Sequence, residues 1–241
     1  MRMILQLRVL IFVGLLTLVL SGAHEPAQAA APALKLEKGD HVCYIGNTLA
    51  DRMQHHAWLE TLIHDLYPQH RLTFRNLGFA GDEVQSRPRS DNFGTADAWL
   101  TKVGADVVFC FFGYNEALRG EAGLPAFEKN VAAMLAGMKR QKYNGKTAPR
   151  IVVFSPIAHE DLNLPYLPDG VENNKNLLRY AQVMQRVSKA AGVLFVDLFH
   201  PTIEQYASAQ SQLLSMNGIH LLEHGSRVLA DVIMQDLFDV A

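Results

Sequence analysis

Only two cysteines, Cys43 and Cys110, occur in the 241 residues, and both sit inside apolar, strand-like runs. A disulfide framework is therefore excluded as the basis of the fold. The two thiols read as small buried hydrophobes with no neighbouring group to activate either as a nucleophile. Basic runs and basic aromatic stripes are also missing, and the formal net charge is -2. Counterion release from a phosphate backbone then has nothing to act on, so no nucleic-acid partner is expected. No P-loop and no Gly-x-Gly-x-x-Gly follows a strand-like run, which removes nucleotide-dependent chemistry, and no cofactor is expected. Internal repeats and low-complexity tracts are absent as well. The long apolar run from Val9 to Leu20 is too short to cross a bilayer, which takes roughly 20 residues.

That run is flanked by Arg2 and Arg8 and followed by the small-residue sites Ser21-Gly-Ala23 and Ala27-Gln-Ala29. This is the layout of a secretory signal peptide. The expectation is a signal peptide over 1–29, export to the periplasm or beyond the cell, and no stable membrane insertion after cleavage. A flexible arm over 30–35 and a single domain over 36–241 should follow.

Within that domain, His41 to Ile45 is short, apolar and partly β-branched, as a strand covered on both faces should be. Gly46 ends it, and Asn47 and Thr48 stand ready to cap a helix whose apolar positions are Trp58, Leu59, Leu62, Ile63 and Leu66. Four more strands are expected at Arg71–Leu77, Asp106–Phe112, Arg150–Phe154 and Val193–Leu198, alternating with helices near Ala96–Val103, after Pro125, over Lys175–Ala191, from Pro201 and around Val228–Leu237. The segment 157–174 carries Pro165, Pro168 and Gly170 and is long for a connection, which marks a functional loop. Strands alternating with helices predict a parallel sheet with helices on both faces.

Four turns stand out: Gly46-Asn-Thr48, Gly78 to Gly81, Gly113-Tyr-Asn115 and Asn217 to His220. The first three follow strands, at the carboxyl edge where open α/β sheets bind ligands. Together they resemble the block pattern of the SGNH, or GDSL, hydrolase family, over essentially the whole chain after the leader. Gly46-Asn47-Thr48-Leu49 stands for its Gly-Asp-Ser-Leu, Gly81 for its oxyanion glycine, Gly113-Tyr114-Asn115-Glu116 for its Gly-x-Asn-Asp, and Asn217-Gly218-Ile219-His220 for its Asp-x-x-His. The resemblance implies a flavodoxin-like three-layer sandwich with a five-stranded parallel sheet of order 2-1-3-4-5. It also implies hydrolysis of a carboxylic ester, such as an acylated carbohydrate or other small molecule. By that resemblance Thr48 attacks the carbonyl, His220 is base and then acid, Asn217 takes the place of the triad acid, and the oxyanion is held by Thr48 and Gly81 N–H groups and the Asn115 amide.

Two departures fall at the most demanding positions. Threonine adds a methyl on Cβ that limits χ1 and crowds attack. Asn217 lacks the charge that stabilises an imidazolium; in serine proteases the equivalent loss costs about 10⁴ in turnover. The same pocket could therefore serve as a non-catalytic binding module for an acylated ligand. Arg52, Glu116, His159 and Glu160 are further candidates for substrate contact. His220-Leu-Leu-Glu-His224 also matches a zinc-peptidase pattern, but no Glu follows it as third ligand, only Asp231, Asp236 and Asp239 as poor substitutes, and Gly225 argues that the motif is not inside a helix; no metal is assigned.

Overall fold

A computed structural model describes residues 34–87, 90–208 and 212–240. The expected signal peptide lies outside the described residues. Leu34 and Lys35, expected in a flexible arm, belong to the fold. Leu34 is buried and its N–H donates to the Leu237 carbonyl at 3.1 Å, while the Lys35 carbonyl accepts from Arg150 Nη1 at 2.6 Å.

Five strands form one parallel sheet: β1 (His41–Gly46), β2 (Thr73–Asn76), β3 (Val107–Phe111), β4 (Arg150–Phe154) and β5 (Leu194–Val196). Their order is β2-β1-β3-β4-β5, as expected. The central strands are apolar at every position because both faces are covered. Cys43 and Ile45 of β1, Val108 and Cys110 of β3, and Ile151 and Val153 of β4 pack on one side. There they meet α3 (Ala96–Val103), α4 (Tyr114–Ala117), α5 (Leu124–Met138) and α6 (Val171–Ala191). Val42 and Tyr44, Phe109 and Phe111, Val152 and Phe154 face the other side. Here they meet α1 (Thr48–His56), α2 (Trp58–Leu66) and α8 (Glu223–Phe238), whereas α7 (Phe199–Ser208), after β5, packs Phe199 into the first side. Stacked rings at that interface, Phe111 on Phe154 at 4.3 Å and Tyr44 on Phe109 at 5.5 Å, give it directional packing. Both cysteines are free and fully buried, and burial pushes each thiol up to about 12.

Three details differ from the sequence reading. The single helix expected after β1 is two, because Ala57 adopts a left-handed conformation (φ 50°) between α1 and α2. Helix α6 starts at Val171 rather than Lys175, since the Asp169 carboxylate accepts the Val171 N–H at 3.0 Å and fixes the first turn. Gly225 lies inside α8, where the chain passes so close to the Leu214 carbonyl that a Cβ has no room. His220 precedes that helix, so the two histidines of the zinc-like motif do not share a helical face.

Candidate active site

Gly46 determines how the chain leaves the sheet. A side chain there would overlap the Phe111 carbonyl, and that carbonyl accepts the Asn47 N–H at 2.9 Å. The chain thus turns tightly across the end of β3 into α1. Asn47, buried, is the cap: its Oδ1 accepts from Leu49 N–H at 3.1 Å. Thr48 is released from capping and becomes the first helical residue, with its N–H among the donors that a helix leaves without an internal acceptor.

The third turn is braced by Glu116, a buried carboxylate. One oxygen accepts from Val84 N–H at 2.8 Å and the other from Gly113 N–H at 3.0 Å. Burial raises its pKa, and the backbone N–H groups that favour the anion oppose that shift. Asn115 beside it donates from Nδ2 to the Asp82 carbonyl at 3.2 Å, leaving its other N–H for a ligand. Asn115 thereby ties this turn to the Gly81-Asp82 turn.

The fourth turn is a loop closed by a bridge between Ser215 and Leu221, with Met216 N–H donating to the His220 carbonyl at 2.9 Å. Its tip is set by Asn217, whose Oδ1 accepts from the backbone N–H groups of His220 at 3.1 Å and Ile219 at 3.4 Å. Its base rests on the long loop after β4. The two oxygens of buried Glu160 accept from Leu214 N–H at 2.9 Å and Ser215 N–H at 2.6 Å, and Glu160 N–H donates to the Gly218 carbonyl at 2.8 Å. Gly218, with φ of 91°, lies directly against the buried His159 ring, where a Cβ would collide. Asn174 holds that histidine's backbone on both sides, accepting its N–H at 2.7 Å and donating to its carbonyl at 2.9 Å.

These turns converge on two cavities. The smaller, about 60 Å³, is lined by Thr48, Phe111, Tyr114, Asn115, Ile157 and His220 among others. The larger, about 170 Å³, runs under the α1–α2 break past Thr48, Arg52, Trp58, Tyr44 and His220. Thr48, Leu49, Ile219 and His220 line both, so the two cavities meet at these four residues.

The electrostatics there are unlike those of a charged triad. Burial pushes the His220 pKa below its ordinary value, and the nearby Arg52 cation pushes it further the same way. The imidazole is held neutral, fit to accept a proton and less fit to keep it. Burial likewise lowers His159, against the opposing pull of the Pro168 carbonyl, Asp161 and Asp169.

The candidates named from sequence separate accordingly. Thr48, Asn115, His220 and Arg52 line the cavities. Asn217 shapes the loop that carries His220. Gly81, exposed at φ 87°, lines neither cavity. Glu116 and Glu160 were expected as substrate contacts but spend both oxygens on backbone N–H groups, and His159 is packed beneath the fourth turn. All three brace the site from behind. Sequence reasoning missed Tyr44 and Trp58, which read as core positions of a strand and a helix, and Tyr114, which stood unremarked inside its motif. Among the described residues no group of three or more His, Cys, Asp or Glu is arranged to hold a metal ion, so His220 and His224 lack the third ligand a zinc site requires.

A parallel α/β sandwich with an alcohol and an imidazole at the carboxyl edge of its sheet has the architecture of an SGNH-type ester hydrolase. The chain belongs to the GDSL-like Lipase/Acylhydrolase family, whose model matches residues 45–228. No curated protein matches its sequence. Its fold is similar to that of Axe2, an acetylxylan esterase from Geobacillus stearothermophilus, at TM-score 0.66 and 16% identity over 85% of this chain and 97% of that one. LAE5, an alpha/beta hydrolase from the metagenome of Lake Arreo, Spain, is similar at TM-score 0.64 and 17% identity over 84% and 96%. A gut microbial diltiazem-metabolizing enzyme is similar at TM-score 0.69 and 19% identity; the match covers 84% of this chain but only 48% of that enzyme, about half its length.

Proposed function

We propose that this ester hydrolase acts outside the cytoplasm on a short-chain carboxylic ester, such as an acetyl group on a carbohydrate or other small alcohol, through Thr48 and His220. The observation that carries the reading is that Thr48 and His220 each line both cavities, which offers an ester's two halves separate chambers. The smaller chamber, about 60 Å³ against about 170 Å³ for the larger, suits the smaller half of such an ester, a short acyl group such as acetyl.

In this mechanism neutral His220 accepts the Thr48 proton as Oγ1 attacks the carbonyl carbon. The Thr48 N–H and the second Asn115 N–H meet the developing oxyanion. The imidazolium then protonates the leaving alkoxide. Water, deprotonated by the same imidazole, releases the acid and restores Thr48. Every step that charges the imidazole is opposed by burial and by Arg52 and lacks a carboxylate to offset them, so turnover is slow. The likeness to an acetylxylan esterase supports carbohydrate acetyl esters as the first substrates to try.

The second reading, a binding module for an acylated ligand, is favoured by one specific observation: the Asn217 oxygen is engaged by backbone N–H groups, and the charge next to His220 is positive. A screen of 4-nitrophenyl acetate, propionate and butyrate and of acetylated xylooligosaccharides, run beside His220→Ala, separates the two. Hydrolysis abolished by the substitution supports the enzyme; equal rates in both proteins, or none with measurable ligand binding, refute it.

A further inference from the structure

The four residues at which the two cavities meet form two chain-adjacent pairs, Thr48-Leu49 at the start of α1 and Ile219-His220 at the end of the fourth turn. In each pair one side chain carries the chemistry proposed above and the other is a branched hydrocarbon. Leu49 has an ordinary reason for its place, since it packs against the apolar cluster beneath α1, α2 and α8. Ile219 has none: half-buried on a loop, it packs into neither of the apolar clusters that flank the sheet among the described residues. The loop nevertheless fixes its backbone. Its N–H donates to Asn217 Oδ1 at 3.4 Å, and the preceding Gly218 lies against the His159 ring. A β-branched side chain on a fixed backbone has little χ1 freedom, so the hydrocarbon stays where the loop puts it.

The remaining apolar walls of the smaller cavity are not free to yield. They include Phe111, Phe112 and Ile157, each no more than 2% exposed, and Phe111 is stacked on Phe154 at 4.3 Å. Residues in so close-packed an interior shift only by displacing their neighbours. Beyond the shared residues the larger cavity continues past Leu59, Phe74, Leu229 and Ile233, apolar surface on which an alkyl chain could be buried. How long an acyl group the smaller cavity takes is then decided where the two spaces meet.

We propose that Ile219, with Leu49, sets the acyl-chain length of the substrate: its side chain closes the smaller cavity toward the larger and confines the acyl half to a short group. This role rests on the ester-hydrolase reading, with the acyl half in the smaller cavity. Ile219 is a specificity residue and takes no part in proton transfer. Replacing it with alanine removes the side chain beyond Cβ and joins the two spaces. Each methylene that a longer acyl chain then buries strengthens its binding about fourfold.

Vinyl acetate and vinyl butyrate are the test substrates, because their small alcohol half leaves the larger cavity open. Wild type should show the higher kcat/KM with the acetate. In Ile219→Ala the butyrate-to-acetate ratio of kcat/KM should rise about fifteenfold, the product of two methylenes, and Leu49→Ala should move it in the same direction. Ile219→Val, a smaller truncation that guards against misreading a folding defect, should give a lesser rise of the same sign. A side chain that only supports the loop would alter both rates together, so a ratio within about twofold of wild type in Ile219→Ala overturns the proposal. A wild type that already prefers butyrate overturns it too. If no ester is hydrolysed, the binding of sodium acetate and sodium butyrate, followed by ligand-observed NMR, supplies the ratio without turnover. A gain for butyrate in Ile219→Ala then leaves the partition standing while the hydrolase reading fails; no gain overturns the partition. Esters hydrolysed with an unmoved ratio leave the hydrolase reading standing and the partition refuted.

Discussion

Glu160 has no place in the chemistry, yet its replacement should disable the site. Its two oxygens accept N–H groups at 2.9 and 2.6 Å from Leu214 and Ser215, in the interior, and that pair anchors the loop carrying His220. In Glu160→Gln the amide oxygen keeps one of these bonds without its charge, and the amide N–H₂ faces the other donor. Hydrogen bonds to a charged group contribute about 1.5–3 kcal/mol each, and an unsatisfied buried donor costs about 1–3 kcal/mol. The net loss should be about 2–4 kcal/mol, out of a total stability of roughly 5–15 kcal/mol. For a domain of this size each kcal/mol lowers Tm by about 2–4 °C, so the midpoint should fall by about 4–16 °C. Thermal denaturation measures this directly. Below both midpoints, ester hydrolysis should still drop at least tenfold in kcat, because His220 loses its fixed position. A variant within about 0.5 kcal/mol of wild type, the range of an ordinary surface change, and with unchanged kcat would refute the bracing role.

Asn217→Asp should keep the two backbone bonds and add a negative charge beside His220, raising its pKa against Arg52 and increasing kcat by up to about 10⁴; combined with Thr48→Ser in an ester assay, the gain should exceed the product of the single gains. The acid limb of the kcat/KM profile should lie below the ordinary histidine value of about 6.5, because a depressed pKa keeps the base form available at lower pH; Arg52→Met should move that limb upward by part of the depression, since burial is the larger cause. Stability should fall as pH drops from about 6.5 toward the lowered pKa values of His159 and His220, because the unfolded chain binds those protons first, and denaturant titrations across that window check it. Ala57→Gly should stabilise the protein by about 0.5–1 kcal/mol in the same assay, the relief of a left-handed non-glycine residue exceeding the entropy glycine adds to the unfolded chain.

Much of the fold was legible because its signals are local. A strand buried on both faces is an unbroken apolar run, and Gly46 is demanded by a close approach that no side chain tolerates. The same reasoning failed where a residue's role depends on a distant partner. His159-Glu160 reads as a polar surface pair in a loop, but the backbone it holds lies more than fifty residues later, at Leu214 and Ser215. The break at Ala57 carries no glycine, proline or asparagine to announce it. Without that break there is no way to foresee that Trp58 lines the same cavity as Tyr44. Both aromatics satisfy the spacing of a core, and only the structure shows that they also line a cavity.

The central claim, that Thr48 is the nucleophile of this site, is tested most directly by trapping the acyl-enzyme. The protein is mixed with 4-nitrophenyl acetate, quenched in acid within the first turnovers and examined by intact mass and peptide mapping. The account predicts a single acetyl group on Thr48, absent from Thr48→Ala and formed more slowly in His220→Ala. Turnover that persists in Thr48→Ala, or acetylation found only at lysines and unchanged by either substitution, would contradict it.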